Sequence, residues 1–112
     1  MSERRRWERF LLRIKGRPTF HCTVTVADGP TLACSLQDIS CGGVRLGLPK
    51  GEELPQLVDG QGVEFESFDA PRFAFMQGKR GMVSWYRPGD REFGVSFTEI
   101  LRKGQVVDLL DP

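Results

Sequence analysis

The sequence predicts an all-β domain: a small antiparallel six-stranded β-barrel with a flexible basic N-terminal arm and a short C-terminal helix or tail. Three observations carry that prediction. Short apolar–polar alternations recur along the chain, turns rich in glycine or proline separate them, and no helical run stands between one strand and the next. Thirteen glycines and seven prolines among 112 residues suit short strands joined tightly. Closing such strands into a barrel also removes exposed edges, which invite aggregation.

The elements follow in order. Trp7, Phe10, Leu11 and Ile14 recur at helical spacing, predicting a short amphipathic helix over residues 1–14. Lys15-Gly16-Arg17-Pro18 ends it, because glycine weakens a helix and proline cannot continue one. Phe20 to Ala27 alternates and is rich in β-branched residues, hence a first strand. Asp28-Gly29-Pro30 turns the chain, and Thr31 to Gln37 returns as the second strand of a hairpin. Asp38 to Gly43 reads as a turn in which Gly42 and Gly43 supply positive φ. Val44 to Leu48 is a third strand, and residues 49–62 form a polar loop with an apolar patch at Leu54, Leu57 and Val58. Val63 to Phe68 is a fourth strand, with Val63, Phe65 and Ser67 opposite Glu64, Glu66 and Phe68. Phe73 to Met76 leads through Gln77-Gly78-Lys79-Arg80-Gly81 to a fifth strand, Met82 to Arg87. Phe93 to Phe97 is the sixth, and Arg102 to Leu110 is the terminal helix or tail. The chain therefore divides into an arm, residues 1–17, and a barrel, residues 18–112.

Net charge is only +1, which hides an asymmetry. Residues 1–17 carry seven basic and two acidic groups, +5, whereas the remainder carries nine basic and thirteen acidic groups, −4. An arm of that kind attracts phosphate over the ~8–10 Å that salt leaves unscreened. No apolar run approaches the ~20 residues of a membrane span, so membrane insertion is not expected. No signal-peptide stretch is present, and three cysteines without CxxC spacing fit a reducing cytoplasm. Cys22 and Cys34 read as small apolar packing residues.

Catalysis finds little support. His21 is the single histidine and falls on the polar face of a strand. Ser40 and Asp38 have no base specified nearby, and Cys41 fits its glycine turn without needing to be a nucleophile. No clustered ligand pattern suggests a metal, and no cofactor is expected.

Two features remain. Asp38-Ile39-Ser40-Cys41-Gly42-Gly43 combines a carboxylate, a hydroxyl and glycines; taken alone, these residues are a self-bonded tight turn. A carboxylate there also accepts paired donors from a guanine edge, and the hydroxyl and loop amides donate to phosphate. Arg4-Arg5-Arg6-Trp7-Glu8-Arg9, taken alone, is a solvated charge run. Its guanidinium groups also pair bidentately with phosphate or guanine and stack on bases.

The order of the two, an RxxxR arm and then DxSxxG opening a strand, resembles the PilZ domain, the bacterial cyclic di-GMP receptor module. The resemblance also runs through Ala27-Asp28-Gly29, Val83-Ser84-Trp85-Tyr86-Arg87-Pro88 and Phe93-Gly94-Val95-Ser96-Phe97. The long gap between arm and turn, with Phe20-His21-Cys22 inside it, looks most like flagellar-brake (YcgR-type) receptors. Of such proteins this chain spans only the PilZ part.

The resemblance implies a PilZ-like split barrel that is not an enzyme and whose ligand is cyclic di-GMP, as a monomer or an intercalated dimer. Arg5 and Arg9, with Arg6 beside them, match the first motif; Asp38, Ser40 and Gly43 match the second. Arg4, Gly42, Arg45 and Trp85 are weaker candidates, and Trp85 fits the core equally well. Arg13-x-x-x-Arg17 has the same spacing as Arg5-x-x-x-Arg9, which matches more of the surrounding block. The implied partner is an effector protein, such as the flagellar motor or exopolysaccharide machinery. A nucleic-acid-binding small barrel is the first rival, disfavoured by the acidic body, and a PilZ-like protein-interaction module that binds no nucleotide is the second.

Overall fold

Period-two patterning puts Val24, Leu36, Val44, Leu46, Phe65 and Phe93 on one side of their strands, and all six are fully buried. The computed structural model describes residues 10–11 and 19–110. Its strands are β1 (Phe10–Leu11), β2 (His21–Val26), β3 (Thr31–Ile39), β4 (Gly43–Gly47), β5 (Gly62–Phe68), β6 (Arg80–Arg87) and β7 (Glu92–Phe97). A helix, α1 (Lys103–Leu110), follows. The sheet runs β1-β3-β2-β5-β6-β7-β4, and β4 returns to pair with β3. Strands β2 to β7 thus close the expected six-stranded antiparallel barrel.

The nine-residue β3 is the seam. Residues from Thr31 to Ser35 pair with β2, and those from Ser35 to Ile39 pair with β4. Beyond Ser35 the edge that β2 leaves open is taken by β1, with Phe10 opposite Ile39 and Leu11 opposite Asp38. This corrects the amphipathic helix expected over residues 1–14 at Phe10 and Leu11. An open strand edge offers backbone hydrogen bonds that outweigh a weak four-residue periodicity. The remainder of that predicted helix lies outside the described residues.

Three β-bulges break the alternation. Glu66 is the extra residue on β5 opposite β2, Gln37 on β3 opposite β4, and Ser84 on β6 opposite β7. A bulge shifts every later side chain to the opposite face. Phe68, expected opposite Phe65, therefore joins it, their rings stacked with centroids 5.8 Å apart. Phe68 also stacks on Phe73, 5.6 Å away. Phe73 and Met76 reach the core from a 3-10 helical turn at Pro71–Met76.

Arg102 to Leu110, left open as helix or tail, is helix from Lys103, and Val106 and Leu109 are buried in the same core. Arg72 Nη1 donates to the Leu109 carbonyl at 3.0 Å near the helix's end. Positive φ occurs at Gly51, Gly60 and Gly78, and also at Asp28 and Arg91. Gly42 and Gly43 are not among them, so the expectation for that pair is corrected. Cys22 and Cys34 are buried as register partners, and burial pushes the Cys22 thiol up to about 12 and Cys34 higher still. His21 is exposed and bonded to Asp69, its amide to Oδ1 at 2.9 Å and Nδ1 3.1 Å from Oδ2.

Candidate functional site

Alternation alone sends Asp38 and Trp85 inward, since Cys34 and Leu36 precede one and Gly81 and Val83 the other. The bulges at Gln37 and Ser84 reverse this. Ile39 and Tyr86 take the core side instead, and Asp38 and Trp85 stand on the outer face of the barrel. Asp38 is thus the last residue but one of β3 rather than the first residue of a turn.

The register lines these residues up. Leu11, Asp38, Arg45, Gly94 and Trp85 are successive partners across β1, β3, β4, β7 and β6. Asp38 and Trp85 stand three strand spacings apart, about 14 Å. Arg45 Nε donates to Asp38 Oδ2 at 2.9 Å, and its Nη1 lies 3.4 Å from Glu92 Oε1. Two carboxylates therefore share one guanidinium. The Asp38 side chain is only 8% exposed against 30% for Arg45, so the ion pair lies partly out of water, where it is less screened.

Gly94 has no side chain because Trp85 occupies that space: a Cβ there would collide with the indole Nε1. The ring lies across β7 toward Arg45, leaving it half-buried rather than in the core. Arg87, two residues along the same face, puts its guanidinium 4.8 Å from the indole centroid. A second row, His21, Ser35, Gly47, Glu92 and Arg87, runs beside the first. Beside Gly47 lies a groove of about 340 Å³, lined among others by Ser35, Gln37, Leu48, Lys50 and Glu92. Gln37 Nε2 donates to Ser35 Oγ at 2.7 Å, and the two side chains fill the space above Gly47.

Ser40 and Gly43 are buried, Cys41 and Gly42 half-buried, and the turn is closed on itself. Ser40 donates to the Gly43 carbonyl through its amide at 2.9 Å and its hydroxyl at 3.4 Å. Gly43 is required for packing: a Cβ there would strike the Val95 carbonyl of β7. Outward, the Gly42 carbonyl accepts from Phe97 N at 2.9 Å, and the Cys41 carbonyl from Leu101 N at 2.7 Å.

Asp38, Arg45 and Trp85 therefore share one face, with Ser40, Gly42 and Gly43 at its edge. Arg4, Arg5, Arg6 and Arg9, and the alternative Arg13 and Arg17, lie outside the described residues. Glu92 and Arg87 were missed in the sequence, although each stands two residues from a neighbour of the row, the strand period that finds such partners. Among the described residues no three His, Cys, Asp or Glu side chains are grouped to hold a metal ion. Nor is any helix there long and apolar enough to cross a membrane.

A sequence model of the PilZ domain matches residues 3–110 of the chain. No curated protein matches it.

Proposed function

The chain belongs to the PilZ domain family, and we propose that it is a cyclic di-GMP receptor, holding the dinucleotide between the face around Asp38 and the arginines of residues 1–17. The family is one of binding modules rather than catalysts. The observation that carries this reading is the register row from Leu11 to Trp85. It sets a mostly buried carboxylate, a guanidinium and an aromatic ring along about 14 Å of one surface. A carboxylate accepts from the N–H edge of guanine, the indole offers a stacking face, and Arg45 and Arg87 offer donors.

Two carboxylates around Arg45 make a poor seat for phosphate, so the phosphates fall to the arm. Arg5 and Arg9, with Arg6 and Arg4 beside them, supply bidentate donors there. The direction of β1 supports this pair over Arg13 and Arg17. Phe10 pairs with Ile39 and Leu11 with Asp38, so the strand is entered from the Ser40 end, by the segment carrying Arg5 and Arg9. Ser40 holds the turn's shape, with Gly42 and Gly43 letting it approach β7. The ligand enters as a monomer or an intercalated dimer.

Within the family we assign the chain to the flagellar-brake (YcgR-type) group, on its arm-to-turn spacing. Its setting is then the cytoplasm, and its output an effector protein such as the flagellar motor or exopolysaccharide machinery.

Isothermal calorimetry with cyclic di-GMP tests the reading. Saturable heat is expected, weakening with salt and at least tenfold weaker in Arg9→Ala and in Asp38→Ala. Absence of heat at tens of micromolar protein, or full affinity in Arg9→Ala, overturns it.

A further inference from the structure

The barrel carries a second groove, on the α1 side, of about 480 Å³. Phe75 and Ile100 line it and leave 47% and 54% of their surface exposed, against complete burial of neighbouring Phe73 and Met76. Large apolar side chains so exposed, lining one groove among polar residues, mark a contact surface rather than loose packing. Lys79 and Arg102 line the same groove, against the single carboxylate of Glu99. Lys79 is held in place, with Nζ donating to the Glu99 carbonyl at 2.5 Å and standing 5.0 Å from the Phe97 ring centroid. The backbone of Arg102 is held by its amide, which donates to Gln105 Oε1 at 2.8 Å.

We propose that this groove is the docking site for an acidic segment of a partner protein, anchored by one bulky apolar side chain between Phe75 and Ile100. Charge selects the occupant: two cations outnumber one carboxylate, so flanking Asp or Glu residues are favoured and Lys or Arg repelled. An aromatic or leucine anchor fills the apolar part, as the central residues of protein interfaces do.

The groove is wired to the Asp38 face. Leu101, one of its lining residues, donates its amide to the Cys41 carbonyl, and Phe97 donates to Gly42, at 2.7 and 2.9 Å. Any shift of the Ser40–Gly43 turn therefore pulls on residues 97–101, of which Glu99, Ile100 and Leu101 line the groove. This coupling rests on the receptor reading above; the groove's own chemistry does not.

An array of immobilised twelve-residue peptides tests both parts, with a central Phe, Leu or Ala flanked by Glu, Gln or Lys and the full chain as the fluorescent probe. Glu-flanked Phe or Leu peptides are expected to bind at least tenfold more tightly than Ala-centred or Lys-flanked ones. Phe75→Ser and Ile100→Ser should each weaken that binding at least tenfold, with circular dichroism and Tm unchanged because both side chains are exposed. Arg102→Glu should shift the preference toward Lys flanks. Saturating cyclic di-GMP should change the peptide affinity at least threefold. Equal binding across the flanks, or full binding by both serine variants, overturns the docking site. So does preferential capture of a single-stranded DNA twelve-mer that Arg102→Glu abolishes. Calorimetry of Phe75→Ser with cyclic di-GMP separates the two readings. Heat without any threefold effect on peptide binding overturns the coupling, whereas no heat in this variant or in the wild type overturns the receptor reading.

Discussion

The indole of Trp85 fills the place of the side chain that Gly94 lacks. An aromatic ring laid on a strand glycine restores apolar cover that the glycine forfeits. Gly94→Ala should therefore expel the ring, at about 1–3 kcal/mol. Gly43→Ala should cost more, because its methyl meets the Val95 carbonyl, and backbone cannot swing aside as an indole can. Urea unfolding of both variants checks the order, and tryptophan emission in a Trp7→Phe background should shift to the red for Gly94→Ala alone.

The Asp38–Arg45 pair sets a second expectation. Arg45→Ala takes one charged partner from a carboxylate whose side chain is 8% exposed, which should cost about 1–3 kcal/mol. Asp38→Asn keeps an acceptor for Arg45 and should cost only about 1 kcal/mol. Denaturation midpoints of the two variants, and of the double variant, measure the coupling directly.

Alkali should weaken the protein through its buried thiols. The Cys22 thiol is pushed up to about 12 and Cys34 is raised further, both mainly by burial. Unfolding returns each to about 8.5, so above that pH the unfolded chain sheds protons that the folded chain keeps. Stability is complete below pH ~8.5 and falls by about 1.4 kcal/mol per unit for each thiol as pH rises toward 12. Urea unfolding under reductant at pH 8 and pH 10 should show the loss, and Cys22→Ala/Cys34→Ala should flatten it. Ellman's reagent should find Cys41 reactive and the other two silent until unfolding, since burial suppresses the thiolate.

Arg91 holds a left-handed backbone, φ 54°, that most side chains avoid. Its guanidinium donates to the Pro49 carbonyl at 2.9 Å and also to that of Glu52, and its own carbonyl accepts from Leu48 N at 2.7 Å. Arg91→Gly should relieve the backbone by about 1 kcal/mol yet lose more through those carbonyl contacts. Net destabilisation, with faster amide exchange confined to residues 49–61, is the expected result.

Much of this was legible in the sequence because it depended on alternation. The six barrel strands follow from period two, and the observed bounds move by one or two residues. The alternation failed at Glu66, Gln37 and Ser84, where a bulge inserts one residue and reverses the faces that follow. No residue type announces a bulge when the partner strand is unknown. Phe68 was therefore assigned the wrong face, and Trp85 stayed poised between core and surface. Gly43 was read for conformational freedom, when its work is to admit the backbone of β7. Glu92 and Arg87 join the site through cross-strand register, which is a property of pairing and not of neighbouring residues.

The two-residue β1 has a consequence for reach. Its pairing with Ile39 and Asp38 fixes Phe10 next to the start of the Ser40 turn, so that Arg9 is covalently next to a fixed point. Arg5 lies five residues from Phe10, roughly 18 Å even when fully extended. Meeting anything bound at Asp38 is then an intramolecular event, at an effective concentration in the millimolar range set by the tether. Lengthening the chain between Arg9 and Phe10 with glycine and serine would dilute that encounter without altering a single contact.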